Sequence, residues 1–409
     1  MSTGVFNTTN FTNNLAKKSF ASMITRLMPN GQAPLFALTS YLKTETAVNT
    51  THGFFTKTMV FPEFTINKDG GYLTTSTGFA IDATDKLLPG MILVNDRSGE
   101  NIIINSVNST TSISVTRDVG TTGPKAINDN DVFYQVGNAF EEGSQRPDAN
   151  NIIPVEVNNL TQIFRNTWAI TGTAEQVEVI AGNKTEAENR QDCAGFHAAD
   201  IEKALFFGQK SSGTRNGKPF RTMDGLLNIV ENPAYYPASY GGSVNSFTAG
   251  ATTNWTQLLA MLDNVFDQAT DPKSSNERLL FVGGAAKLVL NEIGRLNGTY
   301  QLMDGQTNFG LRFDTLKTPR GTFRIIEHPL FNSNASWAKL AVGVDLATFN
   351  LAYLGNRKTQ SKEYNTQGKV ASDYGVDAIG GTLTTECTCT VKNPPANVVI
   401  RNLTAAAQG

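Results

Sequence analysis

Three histidines, three cysteines and a few paired carboxylates are the side chains whose types could do chemistry in this 409-residue chain. His52, His197 and His328 fall in no His-x-x-x-His or His-Glu-x-x-His arrangement, the spacing that sets two imidazoles on one helix face around zinc. Cys387 and Cys389 would share one face of a strand, but no second pair completes a zinc site, so a pair of small core residues is expected. A Gly-x-Ser-x-Gly elbow is missing from the sequence. The run Phe281–Val282–Gly283–Gly284–Ala285–Ala286–Lys287 passes from strand to helix like a phosphate cradle. It lacks the P-loop spacing and the Lys-Ser/Thr ending, which leaves a tight turn. Glu141–Glu142 and Asp192/Asp200 read as surface charge, and His197 as a packed helix residue. The Pro233–Tyr240 aromatics could stack on bases; with no basic cluster among them, loop packing is expected. The chain therefore does not read as an enzyme, and neither a cofactor nor a metal is expected.

The elements that would hold these residues are plainer than the chemistry. Asn183–Gln209 carries the longest helical pattern. Thr185 and Glu188 have the capping-box spacing, and Ala187, Ala194, Ala198, Ile201 and Leu205 fall on one predicted face. Glu188, Gln191, Asp192, Glu202 and Lys203 are assigned off that face, and Gly208 to a left-handed C-terminal cap. Residues 185–207 at about 1.5 Å each would make a rod of roughly 33–35 Å, a spine for its surroundings. Two further helices are expected over about Asn254–Ala269 and Ala285–Leu296. Predicted strands include Leu279–Val282, Phe309–Leu316, Gly321–His328, Ala338–Val344, Phe349–Leu354 and Gly381–Val391. Residues 355–378 read as a loop.

Composition agrees with a β-rich, loop-rich chain. There are 39 Asn and 48 Thr, against 70 charged residues that nearly balance at −2. Thr favours strands and Asn favours turns. Near-neutrality argues against a dedicated DNA-binding protein. The odd, sparse cysteines favour assembly in a reducing cytoplasm. The opening MSTGVFNTTNFTNN does not read as a signal peptide, and no apolar run is long enough for a spanning helix.

Before the spine, two extensions stand out. Residues 1–50 read as an arm with an amphipathic helix over about Leu15–Leu27, ended by Met28–Pro29–Asn30–Gly31. Phe54–Phe61 and Gly71–Phe79 are expected to pair as a hairpin around Lys68–Asp69–Gly70–Gly71. Short alternating strands then make a small β-module of about residues 81–136 set inside that hairpin. Extended elements cannot bury their own apolar residues, so neighbouring subunits would have to complete them. The aromatics on the extensions, Phe6, Phe11, Phe20, Phe61, Phe64, Tyr72 and Phe79, are the candidate intersubunit contacts.

An arm, an extended β-hairpin, a long helix, a mixed α/β region and a returning strand resemble the Hong Kong 97 fold of tailed-bacteriophage major capsid proteins. The local stretches that resemble one such family are Gly137–Ser144, Asn159–Phe164, Thr171–Ala174 and Asp200–Gly208. The resemblance implies an α+β capsid fold and a structural subunit that self-assembles as pentamers and hexamers into an icosahedral head around double-stranded DNA. It implies an N-terminal arm over 1–50 and an extended loop over 51–165, enlarged by the β-module. It further implies a peripheral domain of 166–224 with 380–409, and an axial domain of 225–379. Implied partners are other copies of the chain, non-specifically contacted packaged DNA, and separate scaffolding, portal and decoration proteins, with no membrane. The virion would be its final place and the host cytoplasm its site of assembly. Some members crosslink through Lys and Asn; Lys57, Lys68 and Lys86 lie in the corresponding loop, but no Asn partner or catalytic Glu is identifiable and no crosslink is expected. The competing readings are a tail, fibre or other adhesive phage component, and an enzyme built from scattered residues.

Overall fold

The spine helix spans Thr185–Phe207 in the computed structural model. The structure describes residues 33–39, 44–57, 61–84, 86–149, 151, 153–177, 185–236, 244–250, 253–266, 276–297, 307–308, 311–312, 314–364 and 377–404. The predicted Leu15–Leu27 helix and the Thr185 side chain lie outside those residues. The helix buries Ile201 and Leu205 as expected, but not the alanines assigned to the same face. Cys193, His197, Ile201, Glu202, Leu205 and Phe206 point inward, while Ala187 and Ala194 are exposed. The physical reason is that His197 and Glu202 find hydrogen-bond partners inside, so burial costs them little and the apolar count alone misplaces the stripe. Gly208 follows, but not as a left-handed cap, since it is absent from the positive-φ glycines. A Cβ there would meet Met223 O at 2.6 Å and Gly225 N at 3.2 Å, so Gly208 lets the chain cross close over the helix end.

The chain divides into two compact units, one of residues 1–54 with 156–409 and one of Phe55–Val155. In the first, a five-stranded sheet orders Glu45–Ala47, Phe349–Leu354, Ala378–Val391 and Gln162–Thr171, with Gln360–Tyr364 also on the long Ala378–Val391 strand. Gln360–Tyr364 corrects the loop expected over 355–378. The strand Ala378–Val391 runs from Ala378, opposite Thr171, to Val391, opposite Phe349, and so spans three neighbours along its length. At Gly381 the Trp168 ring sits where a Cβ would be, 2.7–2.9 Å away.

A second, six-stranded sheet of the same unit runs Ser246–Thr248, Val398–Arg401, Ala341–Val344, Glu277–Val282, Thr322–Glu327, Asp314–Lys317. Its central strand Glu277–Val282 is buried from Arg278 onward, as a strand covered on both faces must be. The helices Trp255–Asp263 and Gly284–Asn297 contribute Leu258, Leu262, Ala286, Leu290 and Ile293 to a core shared with Leu280, Phe323 and Ile325. Asn254 and Gln257 form a full capping box at the first of these helices.

In the second unit, strands Glu63–Thr65, Val132–Asn138, Met91–Asn95, Asn101–Ser109, Ser112–Val119 and Gly78–Ala80 form one antiparallel sheet in that order. Its two edges also meet. Ile66 bridges Ile81, Asn67 N–H donates to Ala80 O at 3.0 Å, and Asp82 N–H to Thr65 O at 3.0 Å. The sheet therefore closes into a small barrel without a free edge. Phe64, Phe79, Leu93, Ile102, Ile104, Ile113, Val115 and Phe133 fill it, with Phe64 stacked on Phe133 at 4.9 Å. The expected pairing of Phe54–Phe61 with Gly71–Phe79 does not occur among the described residues. The strands around the Gly70–Gly71 turn pair instead with Val132–Asn138 and Ser112–Val119, because that closes the barrel around Phe64 and Phe79. Chain enters and leaves through Thr51–Thr56 and Val155–Leu160, which pair as a two-stranded ribbon.

Candidate functional site

The sequence offers little chemistry, and the structure turns much of what it offers into fastening. Glu202, assigned to the solvent side from sequence, is fully buried. Its carboxylate accepts from Leu35 N–H at 2.8 Å and Phe36 N–H at 2.7 Å, and lies 2.7 Å from His328 Nε2. One side chain thus ties three separate parts of the chain: the Pro34–Thr39 helix, the spine, and the loop after Thr322–Glu327. The ring of His328 stacks on Phe331 and meets Phe206 edge-on. The one local signal was a carboxylate four residues before Phe206, on the same helix face as that ring.

One turn and more away, His197 is buried with Nδ1 2.7 Å from Asn166 Oδ1 and Nε2 2.7 Å from Thr385 Oγ1. It joins the helix to two strands of the five-stranded sheet, as a packed residue. Burial pushes its imidazole below the ordinary value, with the nearby Asp200 charge acting the other way. A depressed histidine binds fewer protons folded than unfolded, so it costs stability as pH falls. Thermal melts from pH 8 to pH 5 should show the transition falling once pH drops below about 6.5. That part of the slope should vanish in His197→Gln, and an identical slope in the variant would remove His197 as its source.

At the helix end, Asp224 accepts from Lys210 N–H and Asn228 Nδ2, each at 2.6 Å, and from the Tyr235 hydroxyl. Asn159 clamps it from behind, donating to Asp224 O at 3.0 Å and to Cys389 O at 2.8 Å. Cys387 and Cys389 are free and fully buried, and burial raises both thiols, Cys387 to about 12. Thiols held protonated in this way are packing groups. Glu386 on the same strand is met by Arg357 at 2.9 Å, Arg221 at 3.8 Å and Thr161 Oγ1 at 3.0 Å. The Gly283–Gly284 turn is tight for a steric reason: a Cβ on Gly283 would sit 2.4 Å from Ala338 O. Lys287 beyond it pairs with Asp314 and Glu327. Tyr236 of the aromatic loop donates to Val230 O at 2.8 Å. Among the described residues no three His, Cys, Asp or Glu side chains gather to hold a metal.

The seven candidate contact aromatics divide unevenly. Phe6, Phe11 and Phe20 lie outside the described residues. Phe64, Tyr72 and Phe79 belong to the barrel's own core, because closing the sheet turns them inward. Phe61 alone of the described four stays open, at 74 % exposed. Other apolar residues missed from sequence join it: Phe55, Ile153 and Val155 on the segments entering and leaving the barrel, and Leu73 at its loop. Lys57, Lys68 and Lys86 are all exposed, Lys68 with its ammonium 4.1 Å from the centre of the Tyr72 ring.

Residues 4–404 match the SU10 major capsid protein family. The chain belongs to that family. A major capsid protein of Pseudomonas phage PaMx41 is 36 % identical over 413 aligned positions, covering 99 % of this chain and 97 % of the relative. Among solved structures, the capsid of a native GTA particle is similar at 8 % identity and TM-score 0.45, covering 96 % of each chain. Mycobacterium phage Bobi gives 9 % identity and TM-score 0.45 over 95 % of this chain and 96 % of that one. The capsid subunit is accordingly a structural component of the virion, a head-shell protein that assembles with copies of itself. Its fold is α+β, with the barrel unit, the spine helix, a mixed α/β region and a long returning strand following in that order. Family membership decides against the tail or fibre reading.

Proposed function

We propose that the capsid subunit forms pentamers and hexamers that close into an icosahedral head around packaged double-stranded DNA. Assembly takes place in the host cytoplasm, with separate scaffolding, portal and decoration proteins. In this reading, residues 1–50 are the arm, 51–165 the extended loop with its inserted module, 166–224 and 380–409 the peripheral domain, and 225–379 the axial domain. The subunit has no enzymatic role. The observation that carries the reading is the set of large apolar side chains left open on the segments entering and leaving the barrel, Phe55 at 72 %, Phe61 at 74 % and Ile153 at 78 % exposed. A chain that worked alone would pay for such exposure, whereas a shell covers it with neighbouring copies. The test is negative-stain microscopy of the full chain, expressed alone and together with the phage scaffolding protein. Closed shells are expected in at least one preparation, and a monodisperse monomer in both would overturn the reading.

A further inference from the structure

Strands Ser211–Arg215 and Lys218–Thr222 make a two-stranded sheet of their own just after the spine helix. All of Ser211–Phe220 is exposed. Asn216 and Gly217 both have positive φ, 53° and 70°, as the tight turn of a two-residue hairpin needs. The register sets Arg215 directly opposite Lys218. Like charges facing each other across a strand pair destabilise it. No hydrogen-bond or ionic partner for either side chain occurs among the described residues.

The charge is not scattered. From Lys203 to Met223 the sequence holds five basic residues and no acidic one, in a chain whose net charge is −2. Two of the five are engaged within the chain: Lys210 donates to Asn158, and Arg221 approaches Glu386 at 3.8 Å. Lys203 is exposed on the spine helix, which leaves the pair at the hairpin tip. A local rule broken without compensation inside the chain points to compensation from outside it. The partner must therefore be anionic.

The rest of the hairpin says which anion. Its exposed groups are donors, Ser211, Ser212, Thr214 and Asn216, with glycines at 213 and 217 that let a ligand approach the backbone. The one ring, Phe220, lies over Gly213. Cores of protein–protein interfaces are aromatic and poor in charge. Arg, Lys, Ser, Thr, Asn and backbone N–H groups are instead the common contacts to phosphate oxygens. We propose that Arg215 and Lys218 at the tip of this hairpin bind the phosphate backbone of double-stranded nucleic acid without sequence preference. This rests on the reading of the shell as a container for double-stranded DNA.

The experiment uses the full chain as purified, unassembled subunits and a fluorescent duplex of about 30 base pairs, titrated by anisotropy across a salt series. Each phosphate contact contributes about 0.9 to the slope of log affinity against log salt. Arg215→Ser/Lys218→Ser should therefore flatten that slope by about 2 and weaken binding about tenfold or more at low salt. Arg215→Lys, which keeps the charge and guards against a folding artefact, should keep the slope. Failure of the wild type to bind, an unchanged slope in the double variant, or a flattened slope in Arg215→Lys would each overturn the proposal. So would normal duplex binding by a double variant that no longer forms shells, which would assign the tip to carboxylates of a second copy. Shell formation is scored separately in the same preparations by microscopy, so intact shells without duplex binding would remove the hairpin contact and leave the shell reading standing.

Discussion

Glu202→Ala should destabilise the unit that holds the spine helix by about 3–5 kcal/mol, the cost of removing one partner from a buried, hydrogen-bonded carboxylate site. The change strands the Leu35 and Phe36 N–H groups and leaves His328 Nε2 without its acceptor. Each orphaned buried donor costs about 1–3 kcal/mol, so the total is reached without invoking any lost packing. Glu202→Gln should cost less, since its one amide oxygen can still accept from a backbone N–H but the amide nitrogen cannot. Urea unfolding of unassembled subunits, followed by the fluorescence of Trp168, Trp255 and Trp337, all in the same unit, gives the comparison. A loss below about 1 kcal/mol for the alanine variant would mean that the three-way tie is incidental. The consequence for assembly is specific. Leu35 and Phe36 lie in the proposed arm, on the Pro34–Thr39 helix, and Glu202 ties that helix to the spine. Loosening it should reduce shell yield even where the unit remains folded, which microscopy at matched soluble protein would show.

The same site marks how far the sequence could be read. The spine helix was legible because its length and its punctuation at Gly208 are local signals. Phe349–Leu354 and the core of Ala378–Val391 were legible because uninterrupted apolar or alternating runs have few alternatives. What was not legible depended on non-local pairing. Glu202 looks like any helix-surface glutamate until His328 and the backbone of Leu35 and Phe36 arrive from 126 and more than 160 residues away. Phe64, Tyr72 and Phe79 read as unsatisfied because the strands that cover them, around Ile113 and Phe133, come later in the chain. Sheet closure was hidden for the same reason, since Ile66 to Ile81 pairs a residue beyond the expected Phe54–Phe61 strand with one at the start of the expected β-module. Gln360–Tyr364 escaped because a strand on the sheet's edge, largely exposed, need not carry an apolar pattern.

The barrel supplies the second large expected effect. Glu100 and Arg117 form a bidentate pair inside it, with Arg117 Nε 2.8 Å from Glu100 Oε1 and Nη2 2.6 Å from Oε2. Their side chains are 1 % and 5 % exposed. Arg117 also donates to Leu73 O at 2.7 Å and to Lys125 O, and Glu100 accepts from Lys125 N–H at 2.9 Å. The pair thus pins two loops to the strands Asn101–Ser109 and Ser112–Val119. Glu100→Leu leaves a guanidinium buried without its counter-charge beside the Phe79 ring, and about 3–5 kcal/mol of barrel stability should go with it. Arg117→Met alone strands the carboxylate and should cost a similar amount. Together with Glu100→Leu it strands neither charge, so the double replacement should cost clearly less than the sum of the single losses, by about 1–3 kcal/mol. The remaining loss would come from the loop carbonyls and the Lys125 N–H, which water can reach once the loops lift. Hydrogen exchange at Ile102, Ile104, Ile113 and Phe133 reads the barrel alone, because each unit opens with its own free energy. Strictly additive losses at those amides would show that the two side chains act on the loops separately, and that pairing contributes nothing to holding them.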